Sequence, residues 1–348
     1  MENRTAPLFS IIMPVYNAAA TLEAAARSVL DQGERSLELL LVDDGSADES
    51  LAIARRLAAA DARVRVFAQQ NGGICAARNC ALAAARGEYV GFCDDDDLYL
   101  PGALHAAAAQ IRQTGADVVR AGYELWRENA AGQPVQLPHP VGEPCALDPA
   151  PDGAAYLAFL AHSGPQFVWN AWYRRAFLGD LRFDERCRSG LEDFIFNAAV
   201  YAAAPRAVYT PAPTCRHFEN ADSTSRAVAA AVAARLEALP AWAAAEHAAA
   251  KARSAPGELP GVWASRQAEL ITFLLHQLRD SRAEKPAAEA AWQVLRRALA
   301  PYANPAPGLD FLRVAGQNKK KAAALALYAL RLTGLYRYLP NQEERSLQ

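Results

Sequence analysis

The sequence predicts an α/β fold in which a mostly parallel sheet is flanked by helices and followed by a helical C-terminal region. Three observations support this fold class. Short apolar segments alternate with amphipathic segments along residues 8–125, polar clusters follow the apolar segments, and residues beyond 226 are rich in alanine. Alternating strands and helices with short connections are typical of a parallel sheet that is covered on both faces.

Four short apolar segments have the composition of buried strands, and helical segments separate them. The predicted strands are 8–15, 38–42, 64–67 and 88–93. The predicted helices are one that follows the N-cap candidate Thr21, one at 48–60 and one at 74–86. In the first of these helices Leu22, Ala25 and Val29 recur at spacings of three and four, which puts them on one face.

The rest of the chain is less regular. A helix is expected from Pro101 to about Gln113, then a strand at 117–125 and a long loop at 128–153 that is rich in proline and glycine. The later expected elements are a helix at 154–162, an aromatic segment at 167–178, a helix within 187–203, a strand near 206–210, and helices at 227–250, 262–281 and 286–299.

Composition excludes several classes of protein. The net charge of −2 gives no general reason to expect nucleic acid as a partner. The six cysteines form no CxxC pair, which argues against a zinc site or a disulfide framework and fits a reducing compartment. We see neither a signal-peptide pattern nor an apolar run of about 20 residues, so the expected location is the cytoplasm.

Four consecutive aspartates, Asp94–Asp97, follow the fourth predicted strand. Like charges at one strand end are unfavourable unless a cation or hydrogen-bond donors compensate them. Mg²⁺ and Mn²⁺ prefer carboxylate oxygens and keep coordination positions for substrate phosphates. Taken alone, however, such a run is better explained as a solvated acidic turn that caps a helix.

The other three strands also end in polar groups, namely Pro14–Asn17, Asp43 with Asp44, and Asn71 with Gly72. Ligands bind at the carboxyl ends of the strands in sheets of this kind. The four loops therefore favour a functional site at this edge, with a metal that holds a phosphorylated substrate.

Five segments, in this order, resemble glycosyltransferase family 2: Ser10–Asn17, Val42–Asp48, Asn71–Asn79, Asp94–Pro101 and Gly190–Asp193. Each motif is weak alone, but five in order are specific, and the resemblance covers about residues 8–225. It implies an inverting enzyme of the bacterial surface-polysaccharide type with the Rossmann-like GT-A fold. The implied domains are 1–225, with a nucleotide-binding half at 1–125 and an acceptor half at 126–225, and a helical region at 226–348.

The resemblance implies roles for residues of the nucleotide-binding half. Pro14 and Tyr16 are implied to contact the base or ribose, and a carboxylate of the Asp-Asp-Gly-Ser motif to accept the uracil N–H. Asp44 is favoured for this contact and Asp43 is the alternative, while one of the pair closes the loop at Gly45 and Ser46.

Two residues after the third strand are also implied to contact the nucleotide, namely Asn71 and Arg78. A guanidinium suits a diphosphate. For Arg78, a salt bridge to neighbouring aspartates is an equally good explanation.

The aspartate run matches the family's Asp-x-Asp-Asp pattern. Asp94 is implied to contact ribose, and Asp96, with Asp94, to hold a Mn²⁺ or Mg²⁺ ion that bridges the diphosphate. The family usually has a serine or similar residue where this chain has Asp95, so either Asp95 or Asp96 is a candidate for the metal. Asp97 is expected to cap the helix after Pro101.

Asp193 is the implied catalytic base, because inverting transfer needs one carboxylate to take a proton from the acceptor hydroxyl. Glu192 is the less favoured base and a candidate acceptor contact. Without the resemblance, both would be ordinary acidic residues at a helix N-terminus.

Trp169 and Asn170 resemble the family's acceptor-side pair, and core packing is the favoured role for Trp169. His217 is a candidate metal or phosphate contact, and for this residue too a structural role is favoured.

The function implied by the resemblance is transfer of a hexosyl or N-acetylhexosaminyl group from a nucleotide-sugar, preferably a UDP-sugar, to a glycan or lipid-linked glycan. A nucleotide-sugar nucleotidyltransferase is one alternative, but residues 14–20 lack the glycine and basic residue that its phosphate loop needs. An inactive GT-A scaffold is another, but it would lack the base or the metal carboxylates, and both are present.

Residues 311–340 contain six basic residues and no acidic one, interleaved with leucines and tyrosines. Such a segment suits peripheral contact with an anionic membrane at the inner face of the cell membrane. A capping helix with a solvated face explains it equally well.

Overall fold

The computed structural model describes residues 6–34, 36–129, 131–139, 141–164, 166–187, 190–219, 228–280 and 285–302. The strands are β1 (Phe9–Val15), β2 (Leu37–Asp43), β3 (Val64–Ala68), β4 (Tyr89–Phe92), β5 (Leu98–Tyr99), β6 (Val118–Glu128), β7 (Pro134–Leu137), β8 (Cys145–Leu147), β9 (Ala171–Arg174) and β10 (Ala207–Glu219). The helices are α1 (Leu22–Leu30), α2 (Ser50–Ala60), α3 (Ile74–Ala84), α4 (Ala103–Thr114), α5 (Gly153–Ser163), α6 (Arg175–Leu178), α7 (Glu192–Ala202), α8 (Val228–Arg253), α9 (Leu259–Asp280) and α10 (Lys285–Leu299), with a short 3₁₀ turn at Ala300–Tyr302.

One sheet organises the chain, and its strand order is β3-β2-β1-β4-β9-β6-β10-β5. The strands β3, β2, β1 and β4 run parallel to one another. Strand β9 is antiparallel to both β4 and β6, whereas β6 and β10 are parallel. The predicted α/β class with flanking helices is confirmed, and the carboxyl ends of β1–β4 lie at one edge.

Strands β1 and β2 are buried over their whole length, and their alternate residues belong to different hydrophobic clusters. Ile12 and Leu40 belong to one hydrophobic cluster, whereas Ile11 and Leu39 belong to the other. This alternation follows from the period of two along a strand. Each such fully buried side chain stabilises the fold by about 1.5–3 kcal/mol. Helix α1 packs on one face and α3 on the other, as expected from their apolar spacing.

Four strands were not predicted, namely β5, β7, β8 and β9. Each has two to four residues, which is too short for hydrophobic periodicity to register. The expected loop at 128–153 contains both β7, which pairs with β6, and β8, which pairs with β10. The backbone hydrogen bonds of these short strands come from partners distant in sequence, so local composition does not reveal them.

The C-terminal helices share the core of the sheet. Trp242, Trp263 and Leu274 of α8 and α9 lie in the same hydrophobic cluster as Phe159 and Phe196, which belong to α5 and α7. None of the helices in the described ranges is both long and apolar enough to cross a membrane. The basic segment 311–340, for which membrane contact was one expectation, lies outside the described residues.

Candidate active site

The loops after β1 and β2 lock together at the edge where the parallel strands end. The backbone nitrogen of Asn17 donates to Ser46 Oγ at 3.0 Å, and Asn17 Oδ1 accepts from the nitrogen of Ala47 at 2.8 Å. Asn17 adopts a φ of 53°, a left-handed conformation that asparagine tolerates. The two predicted nucleotide-binding loops are therefore one rigid unit.

Asp44 and Asp43 both serve loop structure. Asp44 Oδ1 accepts from the backbone nitrogen of Gly72 and Oδ2 from that of Gly73, each at 2.8 Å, so Asp44 holds the loop after β3. Asp43 Oδ2 accepts from the nitrogen of Ser46 at 3.3 Å, which is the predicted closure of that turn. Asp43 Oδ1 is buried and has no hydrogen-bond partner among the described residues. Carboxylate oxygens can accept more than one bond, so a further contact from a ligand fits either residue.

Tyr16 and Pro14, the two residues predicted to contact the nucleobase or ribose, differ in exposure. Tyr16 is 53% exposed at the end of β1, and its backbone nitrogen donates to Asp95 Oδ2 at 3.0 Å. Pro14 is instead buried inside β1, where it pairs with Val42, so its expected contact with the nucleotide is corrected to a place in the sheet. Asn71 is exposed at the tip of the loop that Asp44 holds.

Arg78 of α3 joins segments that are distant in sequence. Its Nη1 lies 2.6 Å from Asp193 Oδ1 and 3.7 Å from Glu192 Oε1, and its Nη2 lies 3.1 Å from Asp94 Oδ1. The side chain is 1% exposed, and its guanidinium carbon lies 5.2 Å from the centre of the Phe183 ring. Arg78 was predicted either to contact the nucleotide or to form salt bridges with aspartates, and the structure shows salt bridges.

The carboxylates around Arg78 explain why its pKa is raised. Burial alone would lower the pKa of the guanidinium, but the carboxylates of Asp193, Asp94 and Glu192 raise it. Three carboxylates share one cation here, so the cluster is anionic when all three are ionised. An anionic pocket of this kind favours either a bound cation or a retained proton.

Asp193 is buried at the N-terminus of α7. A turn at Gly190 and Leu191, with φ values of 87° and 78°, delivers it to Arg78. A left-handed leucine is strained, and such strain is typical of functional sites. Asp193 Oδ2 accepts from the backbone nitrogen of Val168 at 3.1 Å. Burial raises the pKa of Asp193 to about 7, against the opposing effect of Arg78.

A carboxyl group with a pKa near neutrality is suited to general base catalysis. The neighbouring Glu192 differs from Asp193 in geometry. It lies 3.7 Å from Arg78, and its Oε2 is buried without a hydrogen-bond partner among the described residues. The geometry therefore keeps Asp193 as the preferred candidate base.

The aspartate run lies beside this cluster, and Asp94, Asp95 and Asp96 are partly exposed. Burial, together with the charges of Asp96 and Asp94, raises the pKa of Asp95 to about 7. The described residues contain no group of three or more His, Cys, Asp or Glu side chains arranged to hold a metal ion. A metal held by one or two of these aspartates would need oxygens from a diphosphate to complete its coordination.

Asp97 does not cap the helix after Pro101, contrary to expectation. Helix α4 begins after Gly102, with no side-chain cap. Asp97 instead lies 2.8 Å from Nδ1 of His217 in β10 and accepts from the nitrogen of Phe218 at 3.0 Å. Burial raises the pKa of Asp97 to about 7, and burial would lower that of His217, but the bond to Asp97 raises it to about 9.

His217 also takes part in a stack of aromatic rings. Its ring stacks on Trp169 at a centroid distance of 4.8 Å, and Trp169 stacks in turn on Phe167 at 4.7 Å. Trp169 is 3% exposed, which agrees with the core role favoured for it.

Asn170 was a candidate acceptor contact, but its side chain is buried and engaged. Its Oδ1 accepts from Arg120 Nη2 at 2.8 Å and its Nδ2 donates to the carbonyl of Ala121 at 3.0 Å. The expectation is corrected accordingly: Asn170 belongs to the sheet interior.

Sequence reasoning missed three participants: Arg120, Val168 and Gln69. Gln69 Nε2 donates to Asp44 Oδ1 at 2.8 Å and so completes the hold on the loop after β3. The backbone nitrogen of Val168 carries no sequence signal at all. Arg120 had one, because a single arginine stands within the apolar run Val118–Ala121 of a predicted strand.

Comparison with known proteins finds relatives in sequence and in structure. Residues 10–134 match the sequence profile described as Glycosyl transferase family 2. The uncharacterized glycosyltransferase EpsJ of Bacillus subtilis (strain 168) is 36% identical over 206 residues, which cover 58% of this chain and 58% of EpsJ. The alignment thus spans little more than half of that relative.

Solved structures with the same architecture include S. aureus TarS 1-349 in complex with UDP, with a TM-score of 0.58 and 20% identity over 92% of this chain and 91% of that chain. TarS 1-349 in complex with UDP-GlcNAc gives a TM-score of 0.56 and 19% identity over the same shares, 92% and 91%. The mannosyltransferase PcManGT from Pyrobaculum calidifontis, in complex with GDP-Man and Mn²⁺, gives a TM-score of 0.53 and 20% identity over 94% of this chain and 87% of that chain.

At these identities the solved structures show the fold, which is the GT-A α/β fold with C-terminal helices. The profile match contains the loops after β1 and β2, Arg78 and the aspartate run of Asp94–Asp97. Over residues 10–134 the chain therefore matches glycosyltransferase family 2.

Proposed function

We propose that the chain is an inverting glycosyltransferase that moves a sugar from a nucleotide-sugar to a glycan or lipid-linked glycan. A UDP-sugar carrying a hexosyl or N-acetylhexosaminyl group is the preferred donor. TarS has been solved with UDP and with UDP-GlcNAc, which supports this donor class. GDP-Man in the PcManGT complex makes GDP-sugars the next class to test.

The observation that carries the proposal is the cluster around Arg78. It joins Asp94, which follows β4, to Asp193 at the start of α7, at distances of 3.1 and 2.6 Å. A donor-side carboxylate and a candidate base therefore lie on the same guanidinium. This is the proximity that a single displacement at an anomeric carbon needs, because the acceptor hydroxyl must lose its proton as it attacks.

A divalent cation, Mn²⁺ or Mg²⁺, is proposed at the aspartate run. Asp96 and Asp94 are the proposed ligands, with Asp95 as the alternative to Asp96. The raised pKa of Asp95 in the company of two other carboxylates fits a site that lacks positive charge. When bound, such an ion would stabilise the negative charge of the departing diphosphate.

In the donor site, Tyr16, Asn71 and either Asp43 or Asp44 are proposed to contact the nucleoside, and Glu192 and Trp169 to border the acceptor side. Residues 1–225 are proposed as the catalytic domain and 226–348 as a helical region. A cytoplasmic location, with peripheral membrane contact through 311–340, is part of the same proposal.

The experiment that tests the proposal is calorimetric titration of the protein with UDP, in the presence of Mn²⁺ and in the presence of EDTA. We expect metal-dependent binding that Asp96→Ala abolishes. Asp148→Ala is the matched control, because its side chain is 76% exposed and distant from the aspartate run in sequence. If UDP, GDP and dTDP all fail to bind with Mn²⁺ or Mg²⁺, the donor site proposed here is wrong.

A further inference from the structure

Arg120 is a buried cation within the sheet. It lies in β6, where it pairs with Ala171 of β9 and Tyr209 of β10, and its exposure is 0%. Within the described part of the chain, Arg120 forms no ion pair. A buried charge without a counter-ion is costly, so its contacts have to supply the compensation.

The terminal nitrogens of Arg120 donate to four oxygens. Nη1 lies 3.4 Å from both Tyr173 OH and Asn197 Oδ1, and Nη2 lies 2.8 Å from Asn170 Oδ1. Nη2 also donates to the carbonyl oxygen of Phe167. That carbonyl accepts a second bond, from Asn197 Nδ2 at 3.1 Å.

The opposite side of the same peptide group faces the candidate base. Phe167 supplies the carbonyl, and Val168 supplies the N–H that donates to Asp193 Oδ2 at 3.1 Å. A trans peptide is planar, and its C=O and N–H point in opposite directions. The guanidinium, the peptide and the carboxylate therefore form one chain of hydrogen bonds, in which each bond polarises the next.

Helix α7 contributes a residue at each end of this series of hydrogen bonds. Asn197 lies four residues after Asp193, so both side chains lie on one face of the helix. Asn197 binds Arg120 and the carbonyl of Phe167, while Asp193 binds the N–H on the other side of that peptide. The peptide is thus fixed at both ends relative to the helix that carries Asp193.

We propose that Arg120 is a positioning residue for Asp193, because it orients the peptide between Phe167 and Val168 and through that peptide stabilises the ionised carboxylate. This inference rests on the proposed function, in which Asp193 is the catalytic base. Two arginines would then stabilise the two oxygens of Asp193: Arg78 pairs directly with Oδ1, and Arg120 acts on Oδ2 through the peptide.

Other charged groups also face Asp193. They are Arg78 from α3, Glu192 from α7 and Asp94 from the loop after β4. Arg78 stabilises the ionised carboxylate, whereas Glu192 and Asp94 oppose ionisation. A test of Arg120 must leave these three groups unchanged, and substitutions at Arg120 or Asn197 do so.

Two variants perturb Arg120, and Asn197→Asp is the first of them. It has nearly the same shape, but it neutralises Arg120 with an adjacent carboxylate and removes the donor to the carbonyl of Phe167. Arg120→Lys keeps the charge and loses the fork that binds several oxygens. Arg253→Lys is the matched control, because Arg253 is also 0% exposed and also donates to backbone carbonyls, those of Asp148 and Pro149, with no bond to Asp193.

Two readouts measure the effect on the folded variants, whose secondary structure is checked by circular dichroism. The first is the pH dependence of UDP-GlcNAc turnover with Mn²⁺. The second is a ¹³C NMR titration of the Asp193 carboxyl in aspartate-labelled protein, assigned with Asp193→Asn, and it does not depend on activity. If the wild type does not turn over UDP-GlcNAc, the donor assignment fails while the NMR titration still tests Arg120.

We expect Asn197→Asp to raise the pKa of Asp193 by about one unit, which is a tenfold change in proton affinity. The KM for UDP-GlcNAc should change by less than about twofold, because a positioning residue for the base acts on the chemical step and not on donor binding. Arg120→Lys should raise the pKa by a smaller amount, and Arg253→Lys should leave it unchanged. The proposal is overturned if Arg120→Lys folds and leaves the pKa of Asp193 at its wild-type value, because Asn197→Asp also places a new carboxylate one helical turn from Asp193, which opposes its ionisation directly.

Discussion

Replacing Arg78 by methionine removes the buried guanidinium that Asp193 shares with the partly exposed Asp94 and Glu192. Arg78 is 1% exposed and lies 2.6 Å from Asp193 Oδ1 and 3.1 Å from Asp94 Oδ1. Removing one partner of a buried ion pair costs about 3–5 kcal/mol, because the remaining charge is buried and unpaired. We therefore expect Arg78→Met to lower the free energy of unfolding by about that amount at neutral pH.

The dependence of this loss on pH separates the charge effect from the loss of packing. Without the guanidinium, the pKa of the Asp193 carboxyl rises further, because Arg78 opposes the effect of burial in the wild type. The variant should therefore lose least stability at low pH, where the Asp193 carboxyl is protonated, and most at high pH. Urea unfolding of both proteins at about pH 5.5 and about pH 7.5 measures the difference.

Arg63→Met is the matched control, because Arg63 and Asp61 are 30% and 27% exposed at a similar distance of 2.7 Å. An ion pair of that exposure contributes about 0–1 kcal/mol. If Arg78→Met costs less than about 1 kcal/mol, or costs the same at both pH values, Arg78 does not hold the cluster in the way argued here.

Three further outcomes are expected. Gly45→Ala should lower the free energy of unfolding by more than about 2 kcal/mol and weaken UDP binding, because Gly45 has a φ of 76° and a new Cβ would meet a backbone nitrogen at 2.9 Å. Gly33→Ala is the control: Gly33 is also left-handed but has nothing within 4 Å, so its free energy of unfolding should fall by only about 1 kcal/mol. Equal losses in the two variants would contradict this. Glu246→Gln should lower the free energy of unfolding by about 3–5 kcal/mol, measured with heat or urea, because it removes the carboxylate that lies 2.7 Å from the buried Arg266. A loss under about 1 kcal/mol would argue against a structural ion pair. Sugar transfer should rise with pH through about 7, the value to which burial raises the pKa of Asp193 from 3.8; a flat pH–rate profile in this range would exclude Asp193 as the base.

The same pKa has the opposite consequence for stability. The unfolded chain binds the proton of Asp193 with the ordinary pKa of 3.8, whereas the folded chain binds it up to about pH 7. Between these values the folded state binds more protons, so the contribution of Asp193 to stability falls as pH rises. Asp193→Asn should remove this part of the pH dependence of unfolding.

The sequence predicted the parallel half of the fold well, because β1–β4 are apolar runs with short connections. It could not predict β9, which is held by pairing with β4 and β6 and has only four residues. The same limit applies to the site. The aspartate run was evident, but the pairing of Arg78 with Asp193 spans 115 residues.

Asp97 and Arg120 illustrate the two ways in which local reasoning failed. For Asp97, a helix nearby suggested a cap, yet a histidine 120 residues later in the chain provided the stronger partner. For Arg120, the apolar surroundings in sequence gave no indication that its partners would be carbonyl and amide oxygens. Both side chains are buried, and burial selects partners by three-dimensional proximity.

The core that α8 and α9 share with α5 and α7 limits how this chain can be recombined with its relatives. A chimera joined near residue 225 would separate Trp242 and Leu274 from Phe196, although all three lie in one hydrophobic cluster. Apolar surface exposed in this way promotes aggregation. Donor or acceptor preference is therefore better exchanged through individual loops at the sheet edge than by swapping the two parts of the chain.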